Sequence, residues 1–100
     1  MKDTYEIAKE EILFKLIEIL KDMTSDWDLD YSGGIGLETR LVTDLGFESI
    51  DIVQFVVAIE ERFKRRRLPF EELLMNDGRY VDDVNVRDTV DFLYRHLNNH

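Results

Sequence analysis

The sequence predicts an all-α fold, a four-helix bundle with three long helices, one short helix and a long first loop. Apolar residues recur at helical spacing in three long segments, residues 4–23, 49–65 and 86–97. Turn-forming residues separate these segments, and no stretch alternates apolar and polar side chains as a half-buried strand would. Since 100 residues are the size of one domain, we expect a single domain over residues 1–100.

The first helix is expected over residues 4–23. Its apolar side chains recur at intervals that place them on one face of an amphipathic helix. They are Ile7, Ala8, Ile12, Phe14, Leu16, Ile17 and Leu20. Residues 24–36 break this period with serine, aspartate and glycine, which predicts a long loop. Residues 37–45 are expected to contain a helical turn that holds the loop on the core through Leu41, Val42 and Leu45.

The second helix, expected over residues 49–65, carries more apolar residues than one buried face needs. At about 100° per residue, one side collects the expected core residues Ile52, Phe55, Val56, Ile59 and Phe63. The other side carries a narrower apolar stripe, called the outer stripe below, which consists of Ile50, Val53 and Val57. Its border is mostly acidic and consists of Asp51, Gln54, Glu60 and Glu61. An exposed stripe edged with acids suits docking onto basic partners, whereas the central helix of a small bundle would bury both faces.

The rest of the chain is expected to form a short third helix and a long last helix. Pro69 suits the first turn of a helix over residues 69–75, and Asn-Asp-Gly-Arg at residues 76–79 predicts a turn. Asn85 suits the N-cap of a helix over residues 86–97. One face of that helix carries Val86, Val90, Leu93 and Leu97.

Ser49 lies at the predicted start of the second helix, shortly after the turn-forming Gly46. A helix N-terminus carries unpaired backbone N–H groups and the positive end of the helix dipole, so it favours an attached anion. The simpler interpretation is that Ser49 is only the N-cap, since serine is among the preferred cap residues. The local sequence leaves both interpretations open.

Composition excludes several classes of function. The chain has no cysteine, so thiol chemistry would have to come from a cofactor. Its formal charge of −9 argues against nucleic acid or an anionic membrane as the main partner and favours basic protein surfaces. No apolar run approaches the ~20 residues of a membrane span, and the charged N-terminus is unlike a signal peptide, so a cytoplasmic location is expected. Its two histidines, His96 and His100, are expected to be exposed. With no plausible catalytic triad, the protein is not expected to be an enzyme.

Five bases occupy six positions at the predicted end of the second helix. They are Arg62, Lys64, Arg65, Arg66 and Arg67. The simpler interpretation is that they complement the dipole of their own helix. The alternative is that they contact an anion or an acidic partner.

The run DLGFESIDIVQFVVAIEERF, residues 44–63, resembles the prosthetic-group segment of acyl carrier proteins. In that family, Asp-Leu-Gly-x-Asp-Ser-Leu-Asp leads into a helix with a late Glu-Glu. The residues that match at the family spacing are Asp44, Leu45, Gly46, Ser49, Asp51, Val53, Ile59, Glu60, Glu61 and Phe63. The helix order also fits across the chain, and VNVRDTVDFL, residues 84–93, resembles the last helix of the family.

This resemblance implies a bundle of the acyl-carrier type with a 4′-phosphopantetheine arm, derived from coenzyme A, attached to Ser49. The arm would hold acyl intermediates as thioesters for partner enzymes. The residues that the resemblance assigns to partner contact are the outer stripe, Ile50, Val53 and Val57, and the acids Glu48, Asp51, Glu60 and Glu61. The implied partners are a phosphopantetheinyl transferase and acyl-loading and acyl-processing enzymes with basic docking patches. The carrier itself is expected to be a monomer.

Several residues depart from the family pattern. Glu48 stands where the family usually has aspartate, and Ile50 where it usually has leucine. Gln54 replaces a common glutamate, and the basic run at residues 62–67 is atypical of fatty-acid carriers. These departures favour a dedicated fatty-acid, polyketide or related biosynthetic pathway over a housekeeping role.

Two other functions compete with the carrier. Residues 28–39 resemble an EF-hand calcium loop, with Asp28, Asp30 and Ser32 at the first ligand positions and Gly33 at the sharp turn. The twelfth position holds Thr39 in place of the bidentate glutamate, so an acidic connector is the simpler interpretation. The other competitor is a helical bundle that is never modified and serves only in protein interaction.

Overall fold

The molecule is mostly helical, with a two-stranded ribbon near its third helix. The structure is a computed structural model and describes residues 7–27 and 34–98. The elements in order are α1 (Lys9–Met23), α2 (Ser49–Phe63), α3 (Glu71–Leu74), β1 (Met75–Asn76), β2 (Arg79–Tyr80) and α4 (Val86–Leu97). The predicted all-α bundle of three long helices and one short helix is therefore confirmed, apart from the ribbon. Within the described part of the chain, every helix is too short or too polar to cross a membrane.

The core lies where α1 packs against both α2 and α4. On α1, the side chains of Ile12, Leu16 and Leu20 are fully buried. On α4, the predicted face is confirmed, because all four of its residues are buried: Val86, Val90, Leu93 and Leu97. Fully burying one such aliphatic side chain contributes about 1.5–3 kcal/mol. These faces therefore hold the bundle that positions the start of α2.

The first helix begins later than predicted. It starts at Lys9, with Ala8 as an extended N-cap, while Thr4 lies outside the described residues. The backbone of Ile7 is held by the last turn of the chain, since its N–H donates to Asn98 Oδ1 at 2.8 Å and its carbonyl accepts from Asn98 Nδ2 at 3.1 Å. This long-range pairing replaces the helical hydrogen bonds that the prediction assumed for Ile7.

Two residues of the predicted apolar face of α1 are exposed: Ala8, the N-cap that precedes the helix, and Phe14. Phe14 is 62% exposed, and Ile19 is buried in its place. At 100° per residue, Phe14 lies about 200° from Ile12 around the helix. It therefore faces away from the side that α2 and α4 cover.

The second helix ends at Phe63, two residues before the predicted end. Lys64 adopts a left-handed conformation with φ 57°, which stops the helix. The N–H of Arg65 then returns to the carbonyl of Glu60 at 3.0 Å, as in a helix-terminating turn. Because left-handed residues are uncommon outside glycine, the sequence did not predict this ending.

The third helix is shorter than the predicted range 69–75, and a β-hairpin follows it. Residues 69 and 70 precede the helix, and Met75 pairs with Tyr80 in the antiparallel ribbon. The predicted turn is confirmed, because Asp77 and Gly78 both have positive φ, 53° and 78°, as a tight hairpin turn requires. Each strand has only two residues, which is too short for an alternating pattern to appear in the sequence.

The segment between α1 and α2 is held on the core as expected, with one exception. Leu41 and Leu45 are buried, and the N–H of Leu41 donates to the carbonyl of Val84 at 2.9 Å. Val42, also predicted to face the core, is exposed instead. Its backbone is held at the surface by Asp83, whose Oδ1 accepts the N–H of Val42 at 2.8 Å. Of the predicted loop at residues 24–36, positions 28–33 lie outside the described residues.

Candidate functional site

The chain enters α2 through a glycine turn and a buried aromatic residue. Gly46 has φ 76°, a conformation that residues with a Cβ rarely adopt, and its N–H donates to the carbonyl of Val42 at 3.0 Å. Phe47 then points into the core, where its ring meets Trp27 and Phe55 edge-on at centroid distances of 5.4 and 6.2 Å. Because the buried ring of Phe47 holds this segment on the core, the next two residues, Glu48 and Ser49, lie on the surface.

Glu48, and not Ser49, is the N-cap of α2. Glu48 has extended backbone angles, and Ser49 is the first helical residue. The N–H of Glu48 donates to Asp51 Oδ2 at 2.8 Å, which is one half of a capping box. The interpretation of Ser49 as a simple N-cap is therefore wrong, because Glu48 is the N-cap and Asp51 accepts its N–H.

Ser49 is exposed at the start of α2. Its Oγ makes no hydrogen bond with any described residue. The N–H groups of Ser49 and Ile50 also find no acceptor among the described residues, as is usual for the first turn of a helix. Unpaired N–H groups and the helix dipole favour a phosphate at this position. The site therefore fits a phosphate ester on Ser49 Oγ.

An apolar groove of about 720 Å³ runs beside Ser49. One wall comes from α2 through Ile52, Val53 and Val56, and the other includes Phe70 and Leu74 from the α3 region. Tyr80 and Val81 also line the groove, with Asp82 and Asp83 beside them. Sequence reasoning missed this groove, because its second wall depends on how α3 and the ribbon pack. The only signal was the surplus of apolar residues on α2.

The outer stripe lies on the surface, in the arrangement that its spacing predicted. Ile50, Val53 and Val57 are 59%, 57% and 48% exposed. They are three of the most exposed large hydrophobic residues in the described part of the chain. Their contact with partner proteins stays a prediction.

The acids predicted to contact partners are not equally free. Asp51 is engaged by the N–H of Glu48, and Glu60 accepts the N–H of Arg67 at 3.0 Å through Oε2. The side chains of Glu48 and Glu61 are exposed. Two of the four predicted contacts therefore also stabilise the backbone at the two ends of α2.

The carboxylates of Asp44 and Asp83 hold the segment that leads to Ser49. Asp44 accepts the N–H of Arg40 at 2.8 Å, and this hydrogen bond lowers the pKa of Asp44. Burial pulls the pKa of Asp83 upward, but hydrogen bonds from the Thr43 hydroxyl and nearby backbone N–H groups outweigh it, so that pKa is also lowered. Both side chains are therefore charged near neutral pH and act as fixed acceptors.

His96 is not exposed as predicted. Its Nε2 lies 2.8 Å from Glu72 Oε1, and its ring packs against Phe92 at a centroid distance of 4.8 Å. The side chain is only 17% exposed. His96 thus joins α4 to α3. His100 lies outside the described residues.

The calcium-loop alternative rests on positions that the structure does not describe. Asp28, Asp30, Ser32 and Gly33 all fall outside the described residues. The described end of that segment has other contacts. Thr39 is buried and its Oγ1 accepts the N–H of Gly36 at 2.9 Å, while Glu38, one place before it, forms an ion pair with Arg87 of α4. Within residues 7–27 and 34–98, no three His, Asp or Glu side chains come together as a metal site.

Comparison with known proteins gives consistent results. A family model described as a phosphopantetheine attachment site matches residues 15–78. An acyl carrier protein of Phytoplasma mali (strain AT) is 35% identical over 66 residues, which cover 66% of this chain and 69% of that protein. An acyl carrier protein of Cyanidium caldarium is 33% identical over 98 residues, covering 93% and 94% of the two chains. An acyl carrier protein of Campylobacter concisus (strain 13826) is 30% identical over 59 residues, covering 59% and 66%.

Proposed function

Because this chain belongs to the acyl carrier protein family, whose members carry acyl groups and are not enzymes, we propose that Ser49 is the attachment point of its covalent 4′-phosphopantetheine. The observation that carries this proposal is the exposed Oγ of Ser49 at the start of α2. When bound, the group supplies the terminal thiol that a chain without cysteine lacks, and the acyl cargo is carried on it as a thioester.

The residues around Ser49 support the phosphate end of the arm. The free N–H groups of the first helical turn lie at the N-terminal end of α2, where the helix dipole is positive. The dipole typically stabilises a nearby anion by about 0.3–1 kcal/mol. Asp51 is occupied by the N–H of Glu48, which holds its carboxylate in the capping turn. The capping turn therefore fixes the start of the helix without using the hydroxyl that is to be modified.

The groove beside Ser49 supports an aliphatic cargo. Its walls are formed mainly by Val, Ile, Leu and Phe side chains, and it opens next to the attachment point. Burying alkyl carbon contributes about 0.8 kcal/mol per CH₂ group. The apolar walls therefore suit the alkyl part of an acyl chain, while the carboxylates of Glu48, Asp82 and Asp83 also line the groove.

The outer stripe supports docking of partner enzymes. Three exposed aliphatic side chains follow Ser49 along α2 and form the outer stripe. The exposed residues Glu48 and Glu61 lie before and after this stripe in the chain. Such a surface fits a transferase or acyl-processing enzyme that presents an apolar contact bordered by Lys and Arg. We further propose that these partner enzymes belong to a dedicated fatty-acid, polyketide or related pathway. They act in the cytoplasm on a monomeric carrier.

Intact-mass measurement tests the attachment. The chain is incubated with coenzyme A, Mg²⁺ and a broad-specificity phosphopantetheinyl transferase, and a gain of about 340 Da is expected for one arm. The matched variants are Ser49→Ala, which removes the proposed hydroxyl, and Ser25→Ala, which removes an exposed serine after α1. We expect the gain in the wild type and in Ser25→Ala but not in Ser49→Ala. A gain that persists in Ser49→Ala would place the arm elsewhere, and no gain in any form would favour an unmodified interaction module.

A further inference from the structure

The basic run at the end of α2, residues 62–67, divides into residues that contact neighbouring helices and residues whose side chains have no partner among the described residues. The guanidinium of Arg62 forms an ion pair with Glu18 of α1. Nη2 of Arg65 donates to the carbonyl of Leu97, at the end of α4, at 2.8 Å. These two arginines therefore tie the end of α2 to the neighbouring helices.

The other three bases make no such contact. Lys64, Arg66 and Arg67 are exposed, and none of their side chains forms an ion pair or hydrogen bond with a described residue. Two of their backbone N–H groups are engaged: that of Arg67 by Glu60 Oε2, and that of Lys64 by the carbonyl of Glu61 at 3.4 Å. We call Lys64, Arg66 and Arg67 the basic patch. It stands out in a chain with a formal charge of −9.

Complementing the dipole of α2 does not account for Arg66 and Arg67 of the basic patch. The helix ends at Phe63, and Arg62 is the basic residue in its last turn. The dipole effect falls off within that turn. Lys64 is the C-cap and can still complement the dipole, but Arg66 and Arg67 follow it and lie beyond the last turn of the helix.

The basic patch is continuous with the outer stripe. Val57, the last residue of the stripe, lines an open concavity of about 910 Å³ together with the three bases and with Glu60 and Glu61. One surface therefore runs from the acidic start of α2, across the apolar stripe, to a mixed and mainly basic end. At 1.5 Å per residue, the fifteen residues of α2, Ser49–Phe63, span about 22 Å.

We propose that the basic patch docks onto carboxylate side chains of the partner enzyme that reads the outer stripe, and that it fixes the direction in which this enzyme lies along α2. The proposal rests on the proposed carrier function, because it assigns a second contact to the same partner. A partner that places bases opposite Glu48 and acids opposite the basic patch forms favourable charge contacts at both ends of α2. The reversed orientation places like charges together at both ends, which disfavours it.

The surroundings of the basic patch favour a protein over a phosphate polymer or a lipid surface. Glu60 and Glu61 share the concavity with the three bases. A row of phosphates would be repelled by these carboxylates and by the net negative charge of the chain. A protein surface can place individual carboxylates against the basic patch. The same surface can place neutral polar groups against Glu60 and Glu61.

Binding of a defined acidic probe tests the proposal. The probe is a synthetic amphipathic peptide of Leu, Asp and Glu, titrated into ¹⁵N-labelled chain at low salt while amide shifts are followed. We expect the shifts to centre on residues 57 and 64–67. The variant Arg66→Gln/Arg67→Gln should weaken binding by about fivefold to twentyfold, since neutralising one exposed charge of a pair typically weakens it about two- to fivefold. Arg66→Lys/Arg67→Lys should restore most of it.

The matched control removes the same net charge elsewhere. Lys21→Gln/Arg79→Gln changes two exposed bases that have no ion pair with a described residue, and binding should stay within about twofold. Equal weakening by both double variants, or shifts away from the basic patch, would overturn the proposal. So would tighter patch-dependent binding to phosphatidylglycerol vesicles, to duplex DNA or to a second copy of the chain, measured by sedimentation.

The same variants separate this proposal from the carrier function. Arg66→Gln/Arg67→Gln should still gain about 340 Da with coenzyme A and the broad-specificity transferase, the mass of one attached arm. Loss of peptide binding with an unchanged mass gain supports the basic patch. Normal peptide binding in a chain that never gains the arm would refute the carrier function and leave the patch intact.

Discussion

Asp83 and Thr43, forty positions apart in the chain, are joined through one carboxylate oxygen. Oδ2 of Asp83 accepts the backbone N–H of Thr43 at 2.9 Å and its hydroxyl at 2.5 Å. Oδ1 accepts the N–H groups of Val42 and Val84, each at 2.8 Å. Asp83 thus connects the segment before α2 to the segment before α4, and it lines the groove beside Ser49.

We predict that Asp83→Asn destabilises the protein by about 1–3 kcal/mol near neutral pH, since hydrogen bonds to a charged acceptor contribute more than neutral ones. Asparagine keeps one acceptor oxygen, but its NH₂ group cannot accept, so either the two bonds from Thr43 or the two from Val42 and Val84 are lost. Denaturant unfolding measures the loss. Asp82→Asn is the matched control, because Asp82 is exposed and forms no hydrogen bond with a described residue.

The effect of Asp83→Asn should depend on pH in a defined direction. The pKa of Asp83 is lowered in the folded state, so its ionised form stabilises the fold above the unfolded pKa of about 3.9. That contribution is lost as pH falls through the lower folded pKa. The difference in free energy of unfolding between wild type and Asp83→Asn should therefore be constant above about pH 5 and shrink below pH ~4. A difference that is unchanged at acidic pH would show that the charge is not what stabilises this contact.

Gly46→Ala should lower stability through the backbone alone. No heavy atom lies within 4 Å of the position of an added Cβ, but φ is +76°. A side chain in the left-handed region costs about 1–2 kcal/mol, and in a domain of this size each kcal/mol lowers Tm by roughly 4–8 °C. Gly36→Ala is the control, because an added Cβ there is equally unobstructed and no positive φ is required. If thermal unfolding showed equal Tm values for the two variants, the strain argument would fail.

Val53→Ser should impair docking without unfolding the protein. Val53 is the middle residue of the outer stripe and is 57% exposed, so the free energy of unfolding should change by no more than about 0.5 kcal/mol. If partner enzymes read the stripe, kcat/KM of the phosphopantetheinyl transferase should fall by about fivefold to thirtyfold, which corresponds to a contact of about 1–2 kcal/mol. Phe14→Ser removes an equally exposed apolar residue from α1 and should leave kcat/KM unchanged. Equal losses in both variants would contradict a specific role for the stripe.

Periodicity predicted most of the architecture because it is a local property. The faces of α1 and α4 could be read from apolar spacing, and Asn85 caps α4 as predicted, with its Oδ1 accepting the N–H of Asp88 at 2.8 Å. Phe14 was misassigned although its angle around the helix was already in the sequence. The start of α1 was different, because the bonds from Asn98 to Ile7 join residues 91 positions apart.

The sequence by itself determined the order of the helices, the position of Ser49 at the start of α2 and the two apolar faces of that helix. Those features depend on residue type and spacing over a few turns. Only the tertiary structure decided that Glu48 caps α2 in place of Ser49, that a groove opens beside the serine, and which bases stay free after Phe63. The physical reason is that a free hydroxyl, a groove or an unpaired charge is defined by the groups around it. Those neighbours come from distant parts of the chain, as Asp83 does for Thr43 and Leu97 does for Arg65.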